Sequence, residues 1–297
     1  MTLKVHHINC GTLRPFSARI VNGTGSMLSP GYLVCHCLLI ETNDGLVLVD
    51  TGFGLGDVEN PKRLGRVTLA ITRPLLNPEE TAARQVIGLG FNLEDVKHIV
   101  LTHFDVDHDG GLPDFPKAKV HVFADEYEAA TAPRNGWKRL SPNRYLADHW
   151  AHGPDWIIHQ LQGEEWHGFD CVRAITNSLP EVLLVPLRGH SYGHCGVAVH
   201  TPDQWLLHCG DAYGYRGEVD IDHPHNTIGL RLEQWVMQDD QRARMHNKDR
   251  LRTLIRDHGK EVLVFCAHDP HEFARIRDAG QNQVQGHGNG LLAASDA

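Results

Sequence analysis

The sequence predicts an α/β protein whose strands fall into two β-rich halves, and three observations carry that expectation. Hydrophobic residues fill 41% of the 297 positions, enough for a substantial buried core. Apolar runs of strand length recur before residue 125 and again after residue 180, with stretches of good helix formers between and after them. Charged residues make up 22% and no biased or periodic repeat appears, which excludes disordered, collagenous and coiled-coil classes.

The first half opens with strand-like runs at 33–41 and 46–49. They are joined by Asn43-Asp44-Gly45, a hairpin signal because these residues tolerate the backbone of a tight turn. A helix is expected over 79–89, then a short apolar strand over 96–101 that stops at Thr102. The strand 119–123 passes into a helix at 124–130, a stretch of good helix formers without Gly or Pro. Three strand candidates build the second half, at 182–187, 195–200 and 205–209, separated by glycine-bearing loops and by Thr201-Pro202-Asp203. Residues 230–258 read mainly as helix, and 261–266 as a last buried strand running into Ala267-His268.

No composition break marks a linker, so a single domain over 1–279 is expected. A flexible tail is expected over 280–297, which is rich in Gly, Gln, Asn and Ala. Between the halves, 131–170 reads as an aromatic-rich insertion with Trp137, Tyr145, Trp150, Trp156 and Trp166. It fits either an aromatic minicore under a long loop or a lid over a pocket.

Lys and Arg total 28 against 37 Asp and Glu, and a net charge of -9 leaves no basic stripe to follow a phosphate backbone; nucleic acid is not an expected partner. Apolar stretches such as Val182-Leu183-Leu184-Val185 fall far short of the roughly 20 residues that cross a bilayer. Residues Met1 to His7 lack an apolar signal core, so no membrane association and a cytoplasmic location are expected. The cysteines at 10, 35, 37, 171, 195, 209 and 266 make no C-x-x-C pair and no disulfide framework, and read as small buried strand residues. A small-molecule substrate is the expected partner; the oligomeric state is left open, a homodimer included.

The 22 histidines turn attention to metal binding, because imidazole is the commonest transition-metal ligand. The densest cluster is His103-x-Asp105-x-Asp107-His108, followed by Asp109-Gly110-Gly111. Four metal-capable side chains in six positions can converge on one point as the chain leaves a strand, while Phe104 and Val106 anchor the loop by burial. Helix capping would account for one aspartate, not for this density. Three other β-runs end in further donors: His190 and His194 in Gly189-His190-Ser191-Tyr192-Gly193-His194, Asp211 in Cys209-Gly210-Asp211, and His268 in Ala267-His268-Asp269. A lone histidine after a strand is usually a packed or surface residue; as a set these donors complete a binuclear site.

These segments resemble the metallo-β-lactamase superfamily, whose members present a T-H-x-H-x-D-H loop, a G-H-x-x-G-H loop, a G-D turn and a late G-H or S-H. Leu48-Val49-Asp50-Thr51-Gly52 is similar to that family's first sheet, where the aspartate supports the site from behind the ligands. The resemblance implies an αββα sandwich with the metals at one edge of the paired sheets. It implies one ion on His103, Asp105 and His190, a second on Asp107, His108 and His268, and Asp211 bridging them, with His194 outside the ligand set. The family's second histidine is replaced here by Asp105. Three carboxylates then face two divalent ions, which leaves the site one charge less positive and its bound water less acidic. Zinc is the leading expectation, with iron or manganese favoured by the harder donor.

On this resemblance the protein is a binuclear metal-dependent hydrolase. A metal-bridging hydroxide would attack an ester-like bond, and Asp107 would take its proton and pass it to the leaving group. The order of parts is most similar to N-acyl-homoserine lactone lactonases, which makes a lactone the leading substrate; thioesters and phosphodiesters are alternatives for the same metal pair. Those lactonases place a tyrosine three residues past the bridging aspartate, where this chain has Gly214. Tyr213 and Tyr215 flank it and read as packing residues ahead of oxyanion donors. Flavodiiron proteins also carry a carboxylate at the position of Asp105, which implies a further alternative: a diiron oxygen or nitric oxide reductase working with a separate reductase. No flavin-binding loop is present.

Overall fold

The computed structural model describes residues 3–132 and 144–288, with side chains to residue 279. The described strands form two six-stranded sheets. In the first, Lys4–Leu13 (β1), Leu33–Thr42 (β2), Gly45–Val49 (β3), Val96–Val100 (β4), Lys119–Phe123 (β5) and Asp155–His159 (β6) lie side by side in sequence order. β1 to β3 are antiparallel and β3 to β6 parallel. Parallel neighbours need a crossover, and the helices Ala82–Gly88 and Ala124–Thr131 lie in two of them. The second sheet runs Glu164–Trp166 (β7), Phe169–Thr176 (β8), Leu179–Pro186 (β9), Cys195–His200 (β10) and Trp205–His208 (β11) as an antiparallel meander. Val262–Phe265 (β12) closes it in parallel after the helices Ile228–Met237 and Gln241–His258.

Strand periodicity explains the layers. Leu38 and Ile40 of β2 point between the sheets, where with Val49 and Val100 they meet Leu184, Val197, Val199 and Phe265 of the second sheet. The alternate residues Cys37 and Leu39 point the other way, with Leu48 and Ile99, beneath Ala82, Ala83 and Val86. On the far face of the second sheet Val185, Leu207 and Val264 pack against Leu251 and Leu254 of Gln241–His258. Strands buried on both faces read as continuous apolar runs, and the helix–sheet–sheet–helix order follows.

The hairpin at 43–45 forms as expected, with Gly45 at φ 122°. The structure differs from expectation at the sheet edges. β1, β6 and β7 are edge strands and β8 lies next to an edge; each mixes exposed or half-buried residues with buried ones, which dilutes its apolar pattern. Residues 155–159 and 164–166, expected inside an insertion, are instead outer strands of the two sheets, so this segment carries the chain from one sheet to the other. Its aromatic residues pack inward: Trp150 and Trp156 meet Phe104 at ring-centroid distances of 5.0 and 5.6 Å, and Trp166 meets Trp205 at 5.3 Å. Trp137 lies outside the described residues. The helix Pro270–Gly288 runs past the expected start of the tail at Gly280. Its first turns are pinned by buried Phe273 and Ile276, and adding residues to an established helix costs less than starting one. All seven cysteines are unpaired. Among the described residues no helix is long and apolar enough to cross a membrane.

Candidate metal centre

β3, β4, β9, β11 and β12 all end at the same edge of the sandwich, and the chain leaving each one delivers a polar residue there: Asp50, His103 to His108, His190, Asp211 and His268. Phe104 is fully buried and Val106 nearly so, which fixes the motif loop from below as its pattern predicts. Val106–Asp109 is a single helical turn. Asp105 occupies its N-cap without a side-chain capping bond, so its carboxylate serves something other than the helix. Gly210 sits at φ 50°, and a Cβ there would lie 2.7 Å from His194 Nε2; only glycine brings Asp211 this close.

All seven expected donors meet at this edge. Ligand atoms of His103, Asp105, His190 and Asp211 lie within 4.8 Å of one another, as do those of His108, Asp211 and His268. In the first group His103 Nε2 is 3.4 Å from Asp105 Oδ2 and 3.7 Å from Asp211 Oδ2, while His190 Nε2 is 3.0 and 3.5 Å from the same two oxygens. In the second, Asp211 Oδ1 is 3.4 Å from His108 Nε2 and 3.1 Å from His268 Nε2, which are 3.4 Å apart. Asp107 Oδ2 joins at 3.7 Å from His268. A tetrahedron with edges of ~3.4 Å has its centre about 2.1 Å from each corner, the length of a zinc–nitrogen or zinc–oxygen bond. Asp211 gives one oxygen to each group. His103 Nε2 and Asp211 Oδ1 are buried without a hydrogen-bond partner, as donors to a cation would be. The residues present therefore fit two metal ions.

Hydrogen bonds behind the donors aim them. Asp50 is held at φ 53°; its carboxylate accepts from the Thr102 amide, the Thr102 hydroxyl and His108 Nδ1, each at 2.8 Å. His103 Nδ1 contacts Thr102 Oγ1 at 3.0 Å, and His268 Nδ1 donates to the Val34 carbonyl at 2.7 Å. With Nδ1 engaged in each ring, Nε2 is turned to the site. His194 stays outside the ligand groups: its Nδ1 donates to Leu187 and its Nε2 accepts from the Asp211 amide at 2.9 Å. Glu126, buried on Ala124–Thr131, accepts from the Phe104 amide, the Ser191 hydroxyl and the Gly193 amide, and so ties the motif loop to the His190 loop. Tyr213 is fully buried and donates to Glu272 at 3.2 Å, as a packing residue.

The electrostatics favour cations. Burial opposes charge on His268, yet Asp211 beside it pushes the imidazole up to about 9. Burial would raise Asp105, but Arg144 and then His103 hold its carboxyl well below the usual range. Arg144, missed in the sequence, places Nε 2.8 Å from Asp105 Oδ1. It offsets the extra negative charge that Asp105 brings, so the expectation of a less positive site holds for the ligands alone. A second unanticipated neighbour is the buried thiol of Cys35, within 4.8 Å of donor atoms of Asp107 and His268. No local pattern marked either residue; each arrives from a distant segment.

His149 is a third. Fully buried, it places Nδ1 2.6 Å from Asp109 and Nε2 2.9 Å from Asp57, pinning the 144–150 segment to the motif loop. Burial opposes its charge, but Asp109 and Asp57 push it up to about 9. A raised imidazole stabilises the fold fully below its ordinary value of about 6.5, and that contribution is lost as pH rises through about 9. Urea unfolding at pH 6 and pH 9.5 is expected to show a loss on the order of 3 kcal/mol that His149→Gln largely abolishes. Equal slopes in both proteins would remove His149 as the source.

Residues 30–268 match the sequence pattern of the Metallo-beta-lactamase superfamily. The chain belongs to that superfamily of metal-dependent hydrolases. It is 42% identical to a probable metallo-hydrolase of Mycobacterium tuberculosis, over 93% of this chain and 83% of that protein. It is 31% identical to the N-acyl homoserine lactonase of Bacillus cereus, over 63% of this chain and 67% of the relative. Among solved structures, an N-acyl homoserine lactone hydrolase with N-hexanoyl-L-homoserine bound at its catalytic metal centre aligns with a TM-score of 0.66. That alignment has 22% identity and covers 92% of this chain and 96% of that one. This likeness bears out the αββα sandwich.

Proposed function

We propose that the protein is a binuclear metal-dependent hydrolase of an ester-like bond, with a lactone as the leading substrate class. The observation that carries this reading is a four-donor group and a three-donor group joined through the two oxygens of Asp211, with Asp107 beside His268 of the second. His103, Asp105 and His190 would hold one divalent ion and Asp107, His108 and His268 the other, with Asp211 shared. Bound there, two such ions polarise a carbonyl oxygen and make water nucleophilic near neutral pH. Four imidazoles and three carboxylates suit zinc, and the carboxylates extend the range to iron or manganese.

The protein's own groups then divide the work. Asp107 has the most open carboxylate of the three, 17% exposed against 10% for Asp105 and 13% for Asp211, and among the described residues its side chain makes no hydrogen bond. It is free to take a proton from the attacking water and hand it to the leaving oxygen. Asp50 and Thr102 hold His103 and His108 in place, and the Val34 carbonyl fixes His268. Likeness to N-acyl homoserine lactonases favours a lactone; thioesters and phosphodiesters use the same arrangement and are the alternatives.

The test is a panel of an N-acyl homoserine lactone, an aryl ester, a thioester and a phosphodiester. The lactone is expected to exceed the others in kcat/KM by about tenfold or more, with activity lost on chelation and restored by zinc. Asp107→Asn is expected to lower kcat by about a hundredfold or more. Metal-replete protein that turns over none of the four compounds would sink the reading.

A further inference from the structure

Arg144 stands outside the seven donors, yet its guanidinium is 8% exposed and lies against the first tetrahedron. Nε is 2.8 Å from Asp105 Oδ1, Nη1 donates to the His190 carbonyl at 2.8 Å, and Nη2 lies 3.1 Å from His190 Nε2. The fourth contact leads away from the site: Nη1 is 3.3 Å from Asp239 Oδ2, a carboxylate 28% exposed to solvent.

The Nε2 position of His190 serves one partner at a time. Three groups meet there, the Asp105 Oδ2 at 3.0 Å, the Arg144 Nη2 at 3.1 Å and an ion at the centre of the first group; Asp105 would share that ion, so Arg144 alone stands against it. A fixed guanidinium at this range also repels a divalent ion, the more strongly because water is largely excluded. Among the described residues the second donor group has no such competitor. The Nε2 atoms of His108 and His268 face each other and Asp211, and the charged neighbours Asp50 and Asp107 are anions that attract metal.

We propose that Arg144 is a resident competitor for the first metal position, so that the two positions load unequally. The second position fills at lower free metal. The first fills only as the guanidinium releases His190 and Asp105 and turns to Asp239, a carboxylate it already touches. This rests on the metal assignment of the preceding section and adds an order of loading that the seven donors alone do not dictate.

Zinc titration of the chelator-treated protein against a chromophoric competitor tests it. Wild type is expected to take up two ions in steps separated by about tenfold or more in Kd, and Asp105→Ala is expected to remove the weaker step alone. Arg144→Met is expected to tighten the weaker step by about tenfold while moving the tighter one by less than about twofold. Arg144→Lys keeps the charge without the fork and is expected to fall between; it carries the test if the methionine variant does not fold. Two equal steps in wild type, or a weaker step that Arg144→Met leaves unchanged or weakens, would overturn the competitor and spare the metal assignment. Uptake of no ion by wild type would overturn the assignment, and the competitor with it.

Discussion

Asp211→Ala is expected to empty both metal positions at once, lowering bound zinc from two ions per chain to none at stoichiometric metal and hydrolysis by about a thousandfold or more. No other described donor faces both groups. Oδ2 lies 3.5 and 3.7 Å from His190 and His103, and Oδ1 lies 3.1 and 3.4 Å from His268 and His108. His103→Ala is the matched control, because it touches one group only and is expected to cost one ion. The apo fold is expected to tolerate the change within about 1 kcal/mol, since removing one of three crowded carboxylates relieves repulsion while deleting its contacts to the imidazoles. Elemental analysis with thermal unfolding of the chelated protein checks both parts. An Asp211→Ala protein that keeps two tightly bound ions would remove this residue from its place between them.

Glu126→Ala is expected to give the largest loss of stability, about 3 kcal/mol, seen as a fall in Tm on the order of 10 °C. The side chain is fully buried, and its removal leaves the Phe104 and Gly193 amides and the Ser191 hydroxyl without their acceptor. The functional consequence follows from the same contacts: Phe104 adjoins two donors and Ser191 adjoins a third, so both loops of the first metal position lose their common brace. Metal uptake there is expected to weaken in the refolded variant while the second position keeps its affinity. Glu126→Gln retains the shape and one acceptor oxygen and is expected to cost less than half as much. Tm and zinc affinity equal to wild type in Glu126→Ala would show that the two loops hold each other without it.

Much of the fold was legible where strands are buried on both faces. β2, β3, β9, β10, β11 and β12 contain apolar stretches, β4 runs into one at its end, and each was expected within a few residues of where it lies. β1, β6, β7 and β8 were not, because a half-wet strand dilutes the apolar pattern with polar residues, as in Asp155–His159. The expected tail from Gly280 was read from the intrinsic preferences of Gly, Gln and Asn; the helix Pro270–Gly288 enters it, and residues 289–297 of it lie outside the described residues. Packing of Phe273 and Ile276 settled the helix that contains Gly280.

The same division runs through the site. The sequence by itself determined the donors, because a metal ligand is a matter of side-chain chemistry and of a short loop leaving a strand, and both are local. His103, Asp105, Asp107, His108, His190, Asp211 and His268 could be named from four segments, and the structure brings those segments to one sheet edge. Only the tertiary structure decided what surrounds them. Arg144 reaches His190 across 46 positions, Glu126 reaches Ser191 across 65, and Cys35 approaches His268 from the other end of the chain. Such contacts leave no periodicity and no motif, since they depend on where whole sheets stack and not on what neighbours what along the chain. The charge of Asp105 shows the difference most plainly: the residue type announces a harder, less positive site, and a guanidinium folded in from a distant segment sets the charge that a metal ion would meet.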